Sequence, residues 1–467
     1  MRRSLVMVRA ILQLAAPDVP NSTLEVWAVA FRLLPPLSPV NVPGPAPSLP
    51  SSSLLHIPSQ SSMDAGNRIT TFKDISPLQN LVEESSSTKR ICNCEPISNY
   101  CEINGDAAVQ GNSSTISIVS LRTGVAAGKI SWTVKPYVRK ENAAAMDLVK
   151  SWSVTLMGFV SCDLTRSVPA ILFSLGGFSG NHFHDFSDLV IPLYITSKQF
   201  NGEVQFLVTD NRPWWITKFE RILRKLSRYD IINIDREGKT HCYPRIIVGL
   251  KYHRELGIDR SKSGYQLSMK DFRQFLRRTY SLKRAKAIKT RDDAGKRPRL
   301  LIISRRRSRS FTNINKITRM AMSLGYNVVT IEPNISSGLA SVAETVNSCD
   351  VLVGIHGAGL TNMVFLPDKA IVIQIVPLGC IDGLAREDFA EPAMEMKLRY
   401  LEYKIKAKES SLTSKYMVEH MVIKDPLSVH KKGWEAVRST YLDKQNVKVD
   451  VRRFRGTLLK ALRLLHH

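Results

Sequence analysis

The stretch 350–377, DVLVGIHGAGLTNMVFLPDKAIVIQIVP, constrains the fold of this 467-residue chain more than any other. Val351, Leu352 and Val353 form an apolar run that ends at Gly354, and residues 371–376 form a second. Runs of this kind are strands covered on both faces, as in a parallel sheet. The turn between them carries His356, Gly357, Ala358 and Gly359, and residues 360–365 start a helix that Pro367 closes. Glycine at a strand-to-helix turn lets the backbone approach a ligand, and the free N–H groups of a helix N-terminus favour an anion there. A nucleotide phosphate is the natural guest. The spacing is not that of a dinucleotide fingerprint, and no acidic residue stands about 20 residues further on to hold a ribose, which disfavours a nicotinamide enzyme.

At this length two domains are expected, and 43% hydrophobic with 23% charged residues is a globular composition. Lys plus Arg is 66 against 41 for Asp plus Glu, a formal net charge of +25. Such a balance suits anionic partners. No zinc-ligand spacing, aromatic RNA-binding signature or basic heptad region is present, so nucleic acid is not among them. Residues 1–90 are rich in Pro and Ser and read as a flexible stem. Their apolar runs at 5–16 and 26–34 are interrupted by Arg9 and Arg32 and fall short of the about 20 residues a spanning helix needs. Of seven cysteines, Cys94 and Cys101 stand close enough to close a small loop if oxidised. Asn-x-Ser/Thr sequons at Asn21, Asn112 and Asn334 fit a secretory-pathway protein.

From residue 115 onward, strand candidates at 117–119, 130–133, 170–173, 205–208, 231–234 and 246–248 alternate with helices at 144–152, 186–194 and 215–227. That pattern predicts an α/β domain with a largely parallel sheet, ended by the basic connector 280–299. A second alternation follows: strand 300–303, helix 314–324, strand 326–331 and helix 339–346, leading into the glycine-rich unit. Ligands of such sheets bind at the carboxyl ends of the strands, where the loop 304–310 and residues 356–362 both fall. In the first loop the arginines of Ser304-Arg305-Arg306-Arg307-Ser308-Arg309 suit a pyrophosphate, held by paired charge-assisted hydrogen bonds. In the first domain the run 176–188 follows a strand and opens a helix. His184 and Asp188 are four apart and share a helix face, an imidazole–carboxylate pair fit for a general base. Asp210 follows the strand 204–209 at the same sheet edge.

Taken together, these motifs resemble glycosyltransferase family 61, and most closely its plant branch of xylan-modifying enzymes. The likeness runs through Lys135-Pro136-Tyr137, 180–188, Val208-Thr209-Asp210, Arg212-Pro213-Trp214-Trp215, 244–252, Ser304-Arg305, Ser308-Arg309, 356–367, Ala385-Arg386-Glu387-Asp388-Phe389 and 433–453. The resemblance implies a GT-B-like α/β fold: residues 1–90 a stem, 91–290 an acceptor-side Rossmann-like domain, 297–424 a nucleotide-sugar-binding Rossmann-like domain, and 425–467 a helical segment packing back across both. It implies an inverting, metal-independent Golgi enzyme of type II membrane topology, although this chain carries no clear transmembrane helix. It implies a UDP-sugar donor and xylan or another polysaccharide as acceptor. The product is a β-1,2-xylosyl or an α-1,3-arabinofuranosyl branch. An N-glycan acceptor and a non-catalytic polysaccharide-binding role are the alternatives. On the donor side the resemblance points to Arg305, Arg309, His356, Gly357, Ala358, Gly359, Leu360 and Asn362. On the acceptor side it points to Asn181, His184 and Asp188. His184, oriented by Asp188, is the expected base, with Asp185 and Asp210 as competing candidates.

Overall fold

In the second half of the chain, the segments 300–303, 351–355 and 371–376 are almost wholly apolar on both faces, and each becomes a buried strand. The structure, a computed structural model, describes residues 100–119, 131–157, 160–292, 295–332 and 338–467. The strands β1 (Cys101–Gln110), β2 (Thr115–Val119), β3 (Ser131–Val134), β4 (Trp152–Met157), β5 (Leu164–Thr165), β6 (Ala170–Ser174), β7 (Gln205–Thr209), β8 (Ile232–Asn233) and β9 (His241–Val248) belong to one sheet. The strands β10 (Arg299–Ile303), β11 (Asn327–Ile331), β12 (Val351–Ile355), β13 (Ile371–Val376) and β14 (Arg399–Lys404) belong to another.

The second sheet is parallel throughout, in the order β11-β10-β12-β13-β14. Its inner strands β10, β12 and β13 read as continuous apolar runs because both of their faces are covered, whereas the edge strands β11 and β14 carry exposed polar residues. Leu300, Ile302, Val351, Val353, Ile371 and Ile373 pack to one side, and Leu301, Ile303, Leu352 and Val372 to the other. The expected helices form at Ile314–Ser323 and Leu339–Asn347. The helix expected at 360–365 is instead a 3-10 helix, Ala358–Phe365, which starts two residues earlier. Leu360, Met363, Val364 and Phe365 are all buried there, and the tighter coil keeps these neighbours in one apolar layer.

The first sheet is largely parallel, as expected, with antiparallel pairings at β1 and β3. Its order is β3-β4-β2-β1-β9-β6-β7-β8, with β5 against β9. β5, β9, β6, β7 and β8 run parallel to one another and β2 runs parallel to β4, whereas β1 runs antiparallel to both β2 and β9, and β3 antiparallel to β4. The helix expected over 144–152 is a single turn, Ala143–Met146, and Trp152 opens β4. The cause lies in residues 152–157, where Val154 and Thr155 are β-branched, and Trp152 and Val154 are fully buried against the sheet. Asn112 is exposed in the turn between β1 and β2, while Asn334 and Asn21 lie outside the described residues, as does the expected stem. Cys162 and Cys242 form a disulfide that ties the approach to β5 onto β9. Cys101 is also disulfide-bonded. Its expected partner Cys94 is outside the described residues.

The described residues, from 100 to 467, pack as one unit. Both sheets lean on a shared apolar layer in which Phe186 meets Phe365 at 5.9 Å and Phe183 meets Phe389 at 5.6 Å. Arg273, buried on the helix Met269–Thr279, fastens this layer through Asp368 at 2.9 Å and the carbonyls of Val364, Leu366 and Met396. The C-terminal segment also differs from expectation. It is several short helices followed by a longer one, Val451–His466, capped by Asp450. That last helix does not cross between the sheets. Its stripe Phe454, Leu458, Ala461 and Leu465 fits the outer face of the second sheet, where Tyr326 donates a hydrogen bond to the Leu458 carbonyl at 2.8 Å.

Candidate active site

In the second sheet the chain order of strands reverses direction between β10 and β12, so the loops that follow these two strands diverge and leave a crevice. Residues 304–310 and 356–359 border it. The arginines of the first loop divide there. Arg306 turns to solvent and pairs with Glu332 at 2.7 Å, and Arg307 is exposed. Arg305 and Arg309 turn inward against the glycine turn: Arg305 Nε donates to the Ser308 carbonyl at 3.0 Å, and Arg309 Nη1 to the His356 carbonyl at 3.2 Å. No carboxylate lies within ion-pair distance of either guanidinium among the described residues. Burial and the neighbouring Arg305 charge push Arg309 down to about 10, and burial lowers Arg305 as well. Asp443 offsets this only in part and lies beyond ion-pair distance, so two adjacent, half-buried cations of this kind suit an anion.

Gly357 makes this approach possible. Its φ is 140°, and a Cβ there would stand 2.6 Å from Arg305 Nη1 and 3.0 Å from Arg309 Nη1. His356 is buried and lowered to about 3 by burial and then by the two arginines, so its ring is neutral. Tyr400 Oη lies 2.9 Å from Gln374 Oε1, and Gln374 Nε2 lies 2.9 Å from His356 Nδ1. With the hydroxyl donating to the amide oxygen, the amide donates to Nδ1 and the proton of His356 sits on Nε2. The other expected donor-side residues have packing roles. Leu360 is fully buried beneath Gly354, Gly359 lies against Ile303, and Asn362 donates to the Gly359 carbonyl at 2.9 Å.

On the first sheet the corresponding reversal lies between β6 and β9. After β6 the chain enters a helical turn, His182–His184, that widens into a π-helix, Asp185–Val190. His184 Nδ1 lies 3.0 Å from Asp188 Oδ2, so the structure brings this pair together. Asp188 is wholly buried and also accepts from Tyr137 Oη at 2.7 Å and from Arg139 through two bonds of 2.7 Å. Burial would raise its carboxyl, but His184 and Arg139 hold it below the ordinary carboxylate range. Arg139 bonds also to Glu255, at 2.8 Å, on the loop that follows β9. Among the described residues nothing hydrogen-bonds His184 Nε2, and the ring keeps a fifth of its side-chain surface exposed.

Neither competing carboxylate is free in this way. Asp185 is fully buried and accepts from the Gly180 amide at 2.8 Å, Trp215 Nε1 at 2.9 Å and Lys218 Nζ at 2.7 Å. Asp210 accepts from Ser174 Oγ at 2.6 Å and the Lys150 amide at 3.0 Å, which fastens two loops. Asn181 caps the turn through the Phe183 amide at 3.1 Å.

The two crevices meet. His182 Nε2 lies 3.2 Å from Asn362 Oδ1 across a sequence distance of 180 residues, and burial beside Lys218 lowers His182 to about 4. Tyr137, Arg139, Glu255 and His182 were not singled out from the sequence as site residues. Tyr137 stands within a stretch that carried the resemblance, but nothing local to Arg139 or Glu255 marks them, because their partners lie 49 and 116 residues away along the chain.

These features describe a class: an α/β protein with an anion clamp at one strand-order reversal and an imidazole–carboxylate pair at another. The family model Glycosyltransferase 61 matches residues 250–373. The chain is 41% identical to a beta-1,2-xylosyltransferase of Oryza sativa subsp. japonica over 79% of its own length and 82% of that protein. It is 34% identical to a xylan glycosyltransferase of Arabidopsis thaliana, over 88% and 86%. An alpha-1,3-arabinosyltransferase of Oryza sativa subsp. japonica is 44% identical over 78% of this chain, which spans 62% of that relative's length. The chain belongs to glycosyltransferase family 61.

Proposed function

We propose that this protein transfers a pentose, xylose or arabinofuranose, from a UDP-sugar to the xylan backbone, with inversion at the anomeric carbon. The observation that carries the reading is the pair of unpaired guanidiniums, Arg305 and Arg309, packed on Gly357. Relatives named for xylosyl transfer, arabinosyl transfer and xylan support the sugar and acceptor class. We read the two sheets as the facing halves of a GT-B arrangement, the second holding the nucleotide-sugar, and place the protein in the Golgi lumen with its relatives' pathway.

In this mechanism an acceptor hydroxyl gives its proton to His184 Nε2 while its oxygen attacks the anomeric carbon. Asp188 keeps the imidazole oriented through Nδ1–H, and Arg139 and Tyr137 keep Asp188 ionised in place. The bond from the anomeric carbon to the diphosphate oxygen breaks, and the electron pair leaves with UDP. Arg305 and Arg309 neutralise the charge that develops on the diphosphate. With two cations in that role, we propose that no metal cofactor is needed.

The test is product formation by the full chain from UDP-xylose and from UDP-arabinofuranose on xylo-oligosaccharides, with EDTA present. One donor is expected to give product. Arg305→Ala is expected to lower kcat/KM by about 10²–10³ and to weaken UDP binding. Unchanged UDP affinity in that variant would remove the clamp, and no product from either donor would remove the pentose.

A further inference from the structure

Asp388 stands on a π-helical turn, Arg386–Ala390, reached from β13. The ring of its neighbour Phe389 is wedged between His356 of the clamp, at 5.6 Å, and Phe183 of the turn that carries His184, also at 5.6 Å. This holds Asp388 where the two crevices join. Its Oδ2 lies 3.9 Å from His356 Nε2, too far for a hydrogen bond. Its charge is felt by Glu255 and Arg139, the groups that brace Asp188. Asp388 therefore faces the donor clamp on one side and the acceptor-side network on the other.

The carboxyl is also short of partners. Only 17% of its side chain is exposed, yet no donor among the described residues hydrogen-bonds it. The fully buried aspartates, by contrast, each collect several donors. Asp185 has Gly180, Trp215 and Lys218; Asp188 has Tyr137, Arg139 and His184; Asp350 has Arg284 and the Ile288 and Arg299 amides. A mostly buried carboxyl that no protein donor reaches is open to hydrogen bonds from a bound molecule.

We propose that Asp388 holds the hydroxyls of the transferred sugar and so selects the donor. The inference rests on the reading of Arg305 and Arg309 as the diphosphate clamp. In a displacement with inversion, the sugar ring lies between the leaving diphosphate and the base, and Asp388 is the carboxyl that borders both. Sugar hydroxyls donate hydrogen bonds to a carboxylate and accept one from its protonated form. Burial and the nearby Glu255 push this carboxyl up to about 8, so both forms are accessible near neutral pH. His356 Nε2–H adds a donor on the same side of the ring. A pentopyranose and a pentofuranose place their hydroxyls differently, and a site built on hydrogen bonds to hydroxyls discriminates between such substrates strongly.

The test is calorimetric titration of the full chain, wild type and Asp388→Ala, with UDP, UDP-xylose and UDP-arabinofuranose. UDP affinity is expected to stay within about twofold, while affinity for the preferred UDP-sugar falls about tenfold or more, with KM rising in step. Asp388→Asn, nearly the same size, is expected to fall between the two, and it carries the test if the alanine variant does not fold. If UDP binds normally and the UDP-sugar affinity is unchanged in the variants, the proposal is wrong. A fall in kcat alone would then make Asp388 a proton-transfer group instead. If UDP fails to bind the wild-type protein, the clamp reading fails first and takes this inference with it.

Discussion

Gly357 sets how near two like-charged side chains come to each other and to the backbone. An alanine there meets two obstacles: a φ of 140° that an L side chain rarely adopts, and a Cβ 2.6 Å from Arg305 Nη1. The arginine ends are flexible and would move away, so the fold survives and the clamp opens. Gly357→Ala is expected to weaken UDP binding by about tenfold or more and to cost roughly 1–2 kcal/mol of stability. Calorimetry and thermal unfolding measure the two effects separately, and unaltered UDP affinity would show that the close approach is irrelevant. A second glycine works similarly on the other sheet. Gly177, at φ 54°, would place a Cβ 2.5 Å from the Tyr137 ring, and its absence lets Tyr137 reach Asp188. The identity of these glycines was visible in the sequence, but the partners that make them necessary were not.

At the scale of elements, the parallel sheet was the most legible part. Strands buried on two faces have no polar alternation to obscure them, and β10 to β13 matched their apolar runs within two residues. The first sheet was harder to read. Its mixed flank, β1 to β4, combines buried and exposed positions, and Trp152, which continued a helical pattern, is claimed by the sheet core. A covalent tie braces that sheet. Cys162 and Cys242 close a loop of 80 residues, which in the chain-entropy account stabilises the fold by on the order of 4 kcal/mol. Replacing both cysteines by serine is expected to lower the melting temperature by several degrees. An unchanged melting temperature under non-reducing conditions would mean that the strand pairing alone holds this edge.

For the whole molecule, the buried histidines predict a response to acid. His356 is held at about 3 and His182 at about 4, both well below the ordinary value near 6.5. Between those values and about pH 6.5 the unfolded chain binds protons that the folded chain refuses, so stability rises with pH across that window and is lost as pH falls. Each ring contributes a slope approaching about 1.4 kcal/mol per pH unit. Asp388, pushed up to about 8, opposes about one ring across the same range, so denaturant unfolding is expected to show the net loss of stability mainly between pH 6 and 5. His182→Gln, which keeps an amide near Asn362, should flatten the slope, and an equal slope in that variant would place the acid sensitivity elsewhere.

The chain by itself determined the kind of sheet, the glycine-rich turn after β12, the arginine loop after β10 and the pairing of His184 with Asp188. These depend on local spacing, which repeats every two residues in a strand and every three to four in a helix. Only the tertiary structure decided that Arg305 and Arg309 turn inward while Arg306 does not. It also committed Asp185 and Asp210 to holding loops, turned the last helix onto one sheet, and carried Asp388 to the junction of the crevices. Those outcomes depend on strand order and on which buried group reaches a donor first. Both are set by contacts between residues far apart in the chain, which no local pattern records.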